Sequence, residues 1–150
     1  MSEYSTLIQE YYTNPVNNYR IEDATVSHHE GNPMCGDDIT VYIKLSKDNI
    51  VIPLDTKKID QENTIISQRS YDGNVSMITQ AAASFFSELV LGKTVSQVLQ
   101  LQEQLMIDQG FEVSTRRRRA RSIPILATRN ALHTFLGDGK IDEFDDVLGE

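Results

Sequence analysis

Between Ile39 and Leu45 every second residue is apolar: Ile39, Val41, Ile43 and Leu45 alternate with Thr40, Tyr42 and Lys44. A period of two belongs to a β-strand with one buried face, so this segment must lie in a sheet that something covers on one side. Lys47-Asp48-Asn49 predicts a turn, Ile50 to Leu54 a second strand and Thr64 to Ser70 a third. Pro53 has no N–H for a ladder, which places its strand at an edge or at a bulge. The short links predict an antiparallel meander. Asn14 to Pro33 shows no period and reads as a long irregular segment.

The period changes after Gly73. Ile78, Ala81, Ala82, Phe85 and Leu89 fall on one helical face, and Gly92 suits a C-terminal stop. Thr94 and Gln97 form a capping box that opens a helix carrying Val95, Val98, Leu101 and Leu105. Ser122 to Pro124 starts a last helix, buried through Ile125, Leu132, Phe135 and Leu136. A short helix near the N-terminus uses Leu7, Ile8, Tyr11 and Tyr12 and ends before Pro15. Strands first and helices afterwards give an α+β fold: a three-stranded antiparallel sheet with helices packed on one face. The 150 residues suit one domain, with an exposed basic loop over 110–121 and an acidic tail over 138–150.

Cys35 is the only cysteine, which rules out an internal disulfide and a zinc site of several thiolates within one chain. The net charge of −8 disfavours general nucleic-acid binding. The block Arg116, Arg117, Arg118, Arg119 and Arg121 stands against that background, either strapped to the acidic tail or offered to an acidic partner. No apolar run approaches the roughly 20 residues of a membrane span, and the polar start does not read as a signal peptide, so the expected location is cytoplasmic. Asp138 to Phe144 looks like half of a calcium loop but lacks its leading carboxylates and its final Glu. Gly137 and Gly139 fit a helix end better, followed by a short helix on Ile141, Phe144 and Leu148.

Gly31-Asn32-Pro33-Met34-Cys35-Gly36-Asp37, running into the first strand, resembles the first cysteine motif of the iron–sulfur cluster assembly scaffolds typified by the NifU N-terminal domain and IscU. Tyr12-Thr13-Asn14-Pro15-Val16-Asn17 resembles that family's helix-ending N-P-x-N element. Tyr71 to Ser84 resembles the stretch that opens its first long helix, and Gly92-Lys93-Thr94 its following G-K-T. The matches keep their order over residues 7–136.

The resemblance implies a non-enzymatic scaffold with three cysteine ligands and an Asp that helps control cluster release. Only Cys35 and Asp37 match that set. Ser76 stands at the second cysteine's position, and Ile123 or Pro124 at the third's. Iron–sulfur clusters are held mainly by thiolates, and neither a hydroxyl nor an apolar side chain substitutes well. The resemblance implies an iron–sulfur cluster, iron or zinc as cargo. The implied partners are a cysteine desulfurase, other assembly proteins, and an intact scaffold or a second copy. A single thiolate suffices to accept persulfide sulfur, so Cys35 as sulfur acceptor is one alternative and a cluster-free binding module is another. His28 and His29 are candidate extra ligands if their loop folds over Cys35; His133 reads as surface or packing.

Overall fold

The computed structural model describes residues 5–32 and 36–149. Its centre is the strand anticipated at Ile39 to Leu45, here β2 (Asp37–Lys47), with Ile39, Val41, Ile43 and Leu45 fully buried. Strand β1 (Val26–Asn32) runs antiparallel along one edge of β2, and β4 (Ile65–Asn74) along the other. Strand β3 (Ile50–Val51) pairs only with Ser46 and Lys47, beyond the end of β1. Asp48 and Asn49 both take positive φ, the conformation whose twist matches a two-residue hairpin.

The sheet departs from the expected meander in three ways. Its third long strand returns to pair with β2, not with β3. Strand β3 stops before Pro53, and the Ile52 N–H donates to Leu45 O at 2.7 Å. The segment expected to be irregular supplies the whole of β1. After Val26 its inward positions are polar, so periodicity does not reveal it: Glu30 faces the last long helix and accepts from Asn130 Nδ2 at 2.9 Å.

Helix α1 (Thr6–Thr13) packs on α2 (Met77–Leu89), with Tyr11 edge-on to Phe85 at 5.0 Å. The N-P-x-N element then ties three parts together. Val16 N–H donates to Ser84 Oγ at 2.6 Å, Asn17 Nδ2 to Ser87 Oγ at 2.8 Å, and Tyr71 N–H to Asn17 O at 3.0 Å.

The expected helix over Thr94 to Leu105 is two short ones, α3 (Val95–Val98) and α4 (Gln104–Asp108), with the capping box present. Tertiary bonds interrupt it: Leu101 O accepts from Arg129, and Glu103 N–H donates to Val147 O.

The last long helix, α5 (Arg118–Leu136), begins four residues before its expected start, after a 3-10 turn at Thr115–Arg117. Half of the basic loop is therefore helix, and Arg121 is buried. Glu103 explains this: its carboxylate pairs with both Arg118 and Arg121. Pro124 then lies inside the helix, where Ala120 O loses its helical donor. The Pro124 carbonyl accepts from Thr128 Oγ1 and from Arg69, a fully buried guanidinium that also donates to Ala83 O. Arg69 thus links β4 to α2 and α5. A short α6 (Phe144–Leu148) closes the chain on Val147, while Ile141, expected on its apolar side, is exposed.

Burial pushes the Glu103 carboxyl up, but hydrogen bonds and charge from Arg118 and Arg121 outweigh this and leave it below its ordinary value of 4.5. A lowered folded value means stability that is present above about pH 4.5 and lost as pH falls through the folded value. Glu103→Gln is expected to lower Tm at pH 7 and to flatten the acid limb of a Tm-against-pH curve. Parallel curves for the two proteins would contradict this.

Candidate functional site

Residues 33–35, Cys35 among them, fall between β1 and β2 in the sequence and lie outside the described residues. Both flanks of this stretch are defined. Gly36 N–H donates to Asn32 O at 2.8 Å, and Gly36 takes φ +71°, a left-handed conformation that favours glycine. β2 then starts at Asp37, which is buried.

The Asp37 carboxylate reaches the start of α2. Oδ1 accepts from Ser76 N–H at 2.7 Å, and Oδ2 accepts from Thr79 Oγ1 at 2.6 Å. Ser76 Oγ lies 3.5 Å from Oδ2 and 3.2 Å from Thr79 Oγ1. Ser76 is the N-cap residue of α2, yet its own hydroxyl makes no capping bond, and the first turn carries no acid. A carboxylate from a neighbouring strand fills that role, at the helix end where negative charge is favoured. Gly73 permits this approach. A Cβ there would sit 2.0 Å from Asp38 O, so only glycine lets β4 run this close to β2 before turning into α2.

The structure therefore brings two of the expected positions together, Asp37 and Ser76. Both Asp37 oxygens are already engaged, and Ser76 contributes a hydroxyl. On α5, Ile123 and Pro124 are buried, and neither carries a donor atom for a metal.

The two histidines stand in β1, not in a loop. Alternation turns them to opposite faces. His28 goes inward beside Glu30 at 3.1 Å, and His29 goes outward and pairs with Asp38. His29 and Asp38 line a shallow depression with Gly31, Asn32, Gly36 and Asp37. Burial pushes the Glu30 carboxyl up, but hydrogen bonds from His28 and Asn130 bring it below the ordinary range. Among the described residues, no group of three or more His, Cys, Asp or Glu is arranged to hold a metal. No helix among them is long and apolar enough to cross a membrane.

His133 is more engaged than its sequence position suggests. It is buried in α5, with Nδ1 2.7 Å from Asp138 and Nε2 2.9 Å from Asp142. Asp142 also accepts from Arg129 Nε at 2.8 Å. The carboxylates that resembled a calcium loop thus fasten the C-terminal segment to α5. An inward histidine followed by Asp at the fifth and ninth positions was the available sequence signal.

This architecture is that of known scaffold proteins. The NifU-like N-terminal protein of Brucella abortus superposes with a TM-score of 0.63 at 12% identity, over 91% of this chain and 95% of its own. A protein of Fervidobacterium islandicum, described as an iron–sulfur cluster assembly scaffold for the SUF system, gives 0.59 at 20% identity, over 87% and 96%. Those likenesses define the fold. In sequence, residues 3–57 match the NifU-like N-terminal domain. The iron–sulfur cluster assembly scaffold protein IscU of Thermotoga maritima is 28% identical over 101 residues, 67% of this chain but 60% of that protein's length. IscU 1 of Archaeoglobus fulgidus is 26% identical over 145 residues, 96% of this chain and 84% of the relative. In sequence the chain is thus similar to iron–sulfur cluster assembly scaffold proteins of the NifU N-terminal and IscU type, and it carries a single cysteine, Cys35.

If Asp37 caps α2, removing it leaves a buried N–H and hydroxyl without an acceptor. Asp37→Ala is expected to cost about 1–2 kcal/mol in urea denaturation. Asp37→Asn, which keeps an acceptor, should lose less. Wild-type stability in the Ala variant would mean that the carboxylate is not needed as a cap.

Proposed function

We propose that this protein works in iron–sulfur cluster assembly through a metal site reduced to Cys35 and Asp37, with the remaining ligands supplied by a partner. The observation that carries this reading is the placement of Asp37 against Ser76. The start of β2 meets the start of α2, so the positions of the family's first two cysteine motifs adjoin, with the thiolate of the first kept in Cys35 and that of the second replaced by Ser76. A cluster needs mostly thiolates, and this chain can offer one. Asp37 can join only by giving up a bond to Ser76 or Thr79. The residues present do not fit a complete cluster held by one chain. They fit a shared one, delivered with or completed by a cysteine desulfurase, another assembly protein or an intact scaffold.

Two narrower readings use the same residues. Cys35 alone suffices to accept persulfide sulfur. A cluster-free module that engages a desulfurase or an intact scaffold needs only the surface. The engagement of both Asp37 oxygens favours the second of these over a metal site within one chain.

Anaerobic reconstitution with ferrous iron and sulfide is expected to leave the wild-type chain nearly colourless on its own. With a cysteine desulfurase and cysteine present, visible cluster absorption should appear and be lost in Cys35→Ser. Ser76→Cys combined with Ile123→Cys should gain absorption without the desulfurase. A wild-type protein that stays colourless and metal-free with the desulfurase present would overturn the cluster reading.

A further inference from the structure

The structure divides the arginine block into two groups with different work. Arg118 and Arg121 turn inward to Glu103. Arg116 and Arg119 are exposed and Arg117 is half-buried. Among the described residues, the side chains of these three make no ion pair. Arg119 instead lies over the Phe144 ring, 4.9 Å from its centroid. A guanidinium stacked on an aromatic face keeps its N–H edges free and loses part of its conformational freedom before any partner arrives.

Their position is electrostatically unfavourable within the chain. They stand on the 3-10 turn and the first turn of α5, with no acid in that turn and no side chain capping it. A helix N-terminus favours negative charge, so three cations there repel both one another and the helix dipole. The one nearby carboxylate that is buried, Glu103, is already shared by the other two arginines. In a chain of net charge −8, an arginine cluster that makes no ion pair among the described residues is suited to carboxylates from outside.

Arg119 also lies close to the end of β1, since it lines an open groove of about 410 Å³ together with Glu30 and Gly31. Glu143 and Asp145 line the same groove and limit what can bind there. A nucleic-acid backbone would run its phosphates past them, whereas a short acidic segment can end at Arg119.

We infer that Arg116, Arg117 and Arg119 form a docking site for an acidic protein segment and set that partner beside the Glu30–Gly31 end of β1. The inference deepens the proposed function by giving the recognition chemistry of its partner, and it rests on that reading only for why the partner comes.

The test uses the full chain and a fluorescently labelled deca-glutamate peptide, followed by anisotropy at low and high salt. Binding that weakens with salt, and that falls about tenfold in the triple variant Arg116→Ser, Arg117→Ser and Arg119→Ser with unchanged Tm, supports the site. Equal affinity in the triple variant overturns it. Tighter binding of a deoxythymidine decamer than of the peptide also overturns it, in favour of a nucleic-acid surface. With small-molecule sulfide, the chain carrying Ser76→Cys and Ile123→Cys should gain the same cluster absorption with and without the three arginine substitutions, so failure of docking and failure of the cluster reading are read separately.

Discussion

The Asp37 carboxylate, held by Ser76 N–H and Thr79 Oγ1, joins the end of the sheet to the start of α2. Much of the site's geometry depends on that contact. It sets the first residue of β2, from which the buried series Ile39, Val41, Ile43 and Leu45 follows in register. It supplies the cap that Ser76 does not provide for itself. It also requires Gly73, since a side chain there would collide with Asp38 O and hold β4 away. One carboxylate therefore joins two elements at the position that the sequence resemblance singled out.

The same contacts hold these positions in place through protein atoms alone. A site held together by metal alone would loosen when two of its cysteines were replaced. Here the two elements that carry Asp37 and Ser76 are bound by hydrogen bonds between protein atoms, and the third position lies in a helix fixed independently. Arg118 and Arg121 anchor the start of α5 on Glu103, and Arg69 ties its middle to β4 and α2. Ile123 and Pro124 sit in that anchored stretch as packing residues. The consequence is chemical: a carboxylate engaged on both oxygens is a poorer ligand than a free one, and among the described residues no group of three or more His, Cys, Asp or Glu stands ready to hold a metal.

How much of this was legible in the sequence follows from which residues carry the signal. β2 was readable because its inward residues are all apolar, and the start of α2 because Ile78, Ala81, Ala82 and Phe85 share a face. β1 was hidden because its inward residues include His28 and Glu30, where Glu30 is satisfied by Asn130 of α5 at long range and by His28, and no local pattern announces such partners. The early start of α5 was hidden for the same reason: Glu103, eighteen positions away from Arg121, decides that the arginines are helical. Asp37 was singled out by its motif, but its role as a cap was not visible, because a cap normally comes from the helix's own N-terminal residues. The strap formed by His133, Asp138 and Asp142 was likewise read as a helix end followed by a tail.

The central claim is a count of donors: one thiolate and one already committed carboxylate do not hold a cluster on a single chain. Native mass spectrometry under anaerobic conditions, after loading with iron and sulfide in the presence of a desulfurase, measures this directly. The account requires cluster mass only on species containing a second polypeptide, with the free single chain metal-free. A single chain carrying a stoichiometric cluster would contradict it.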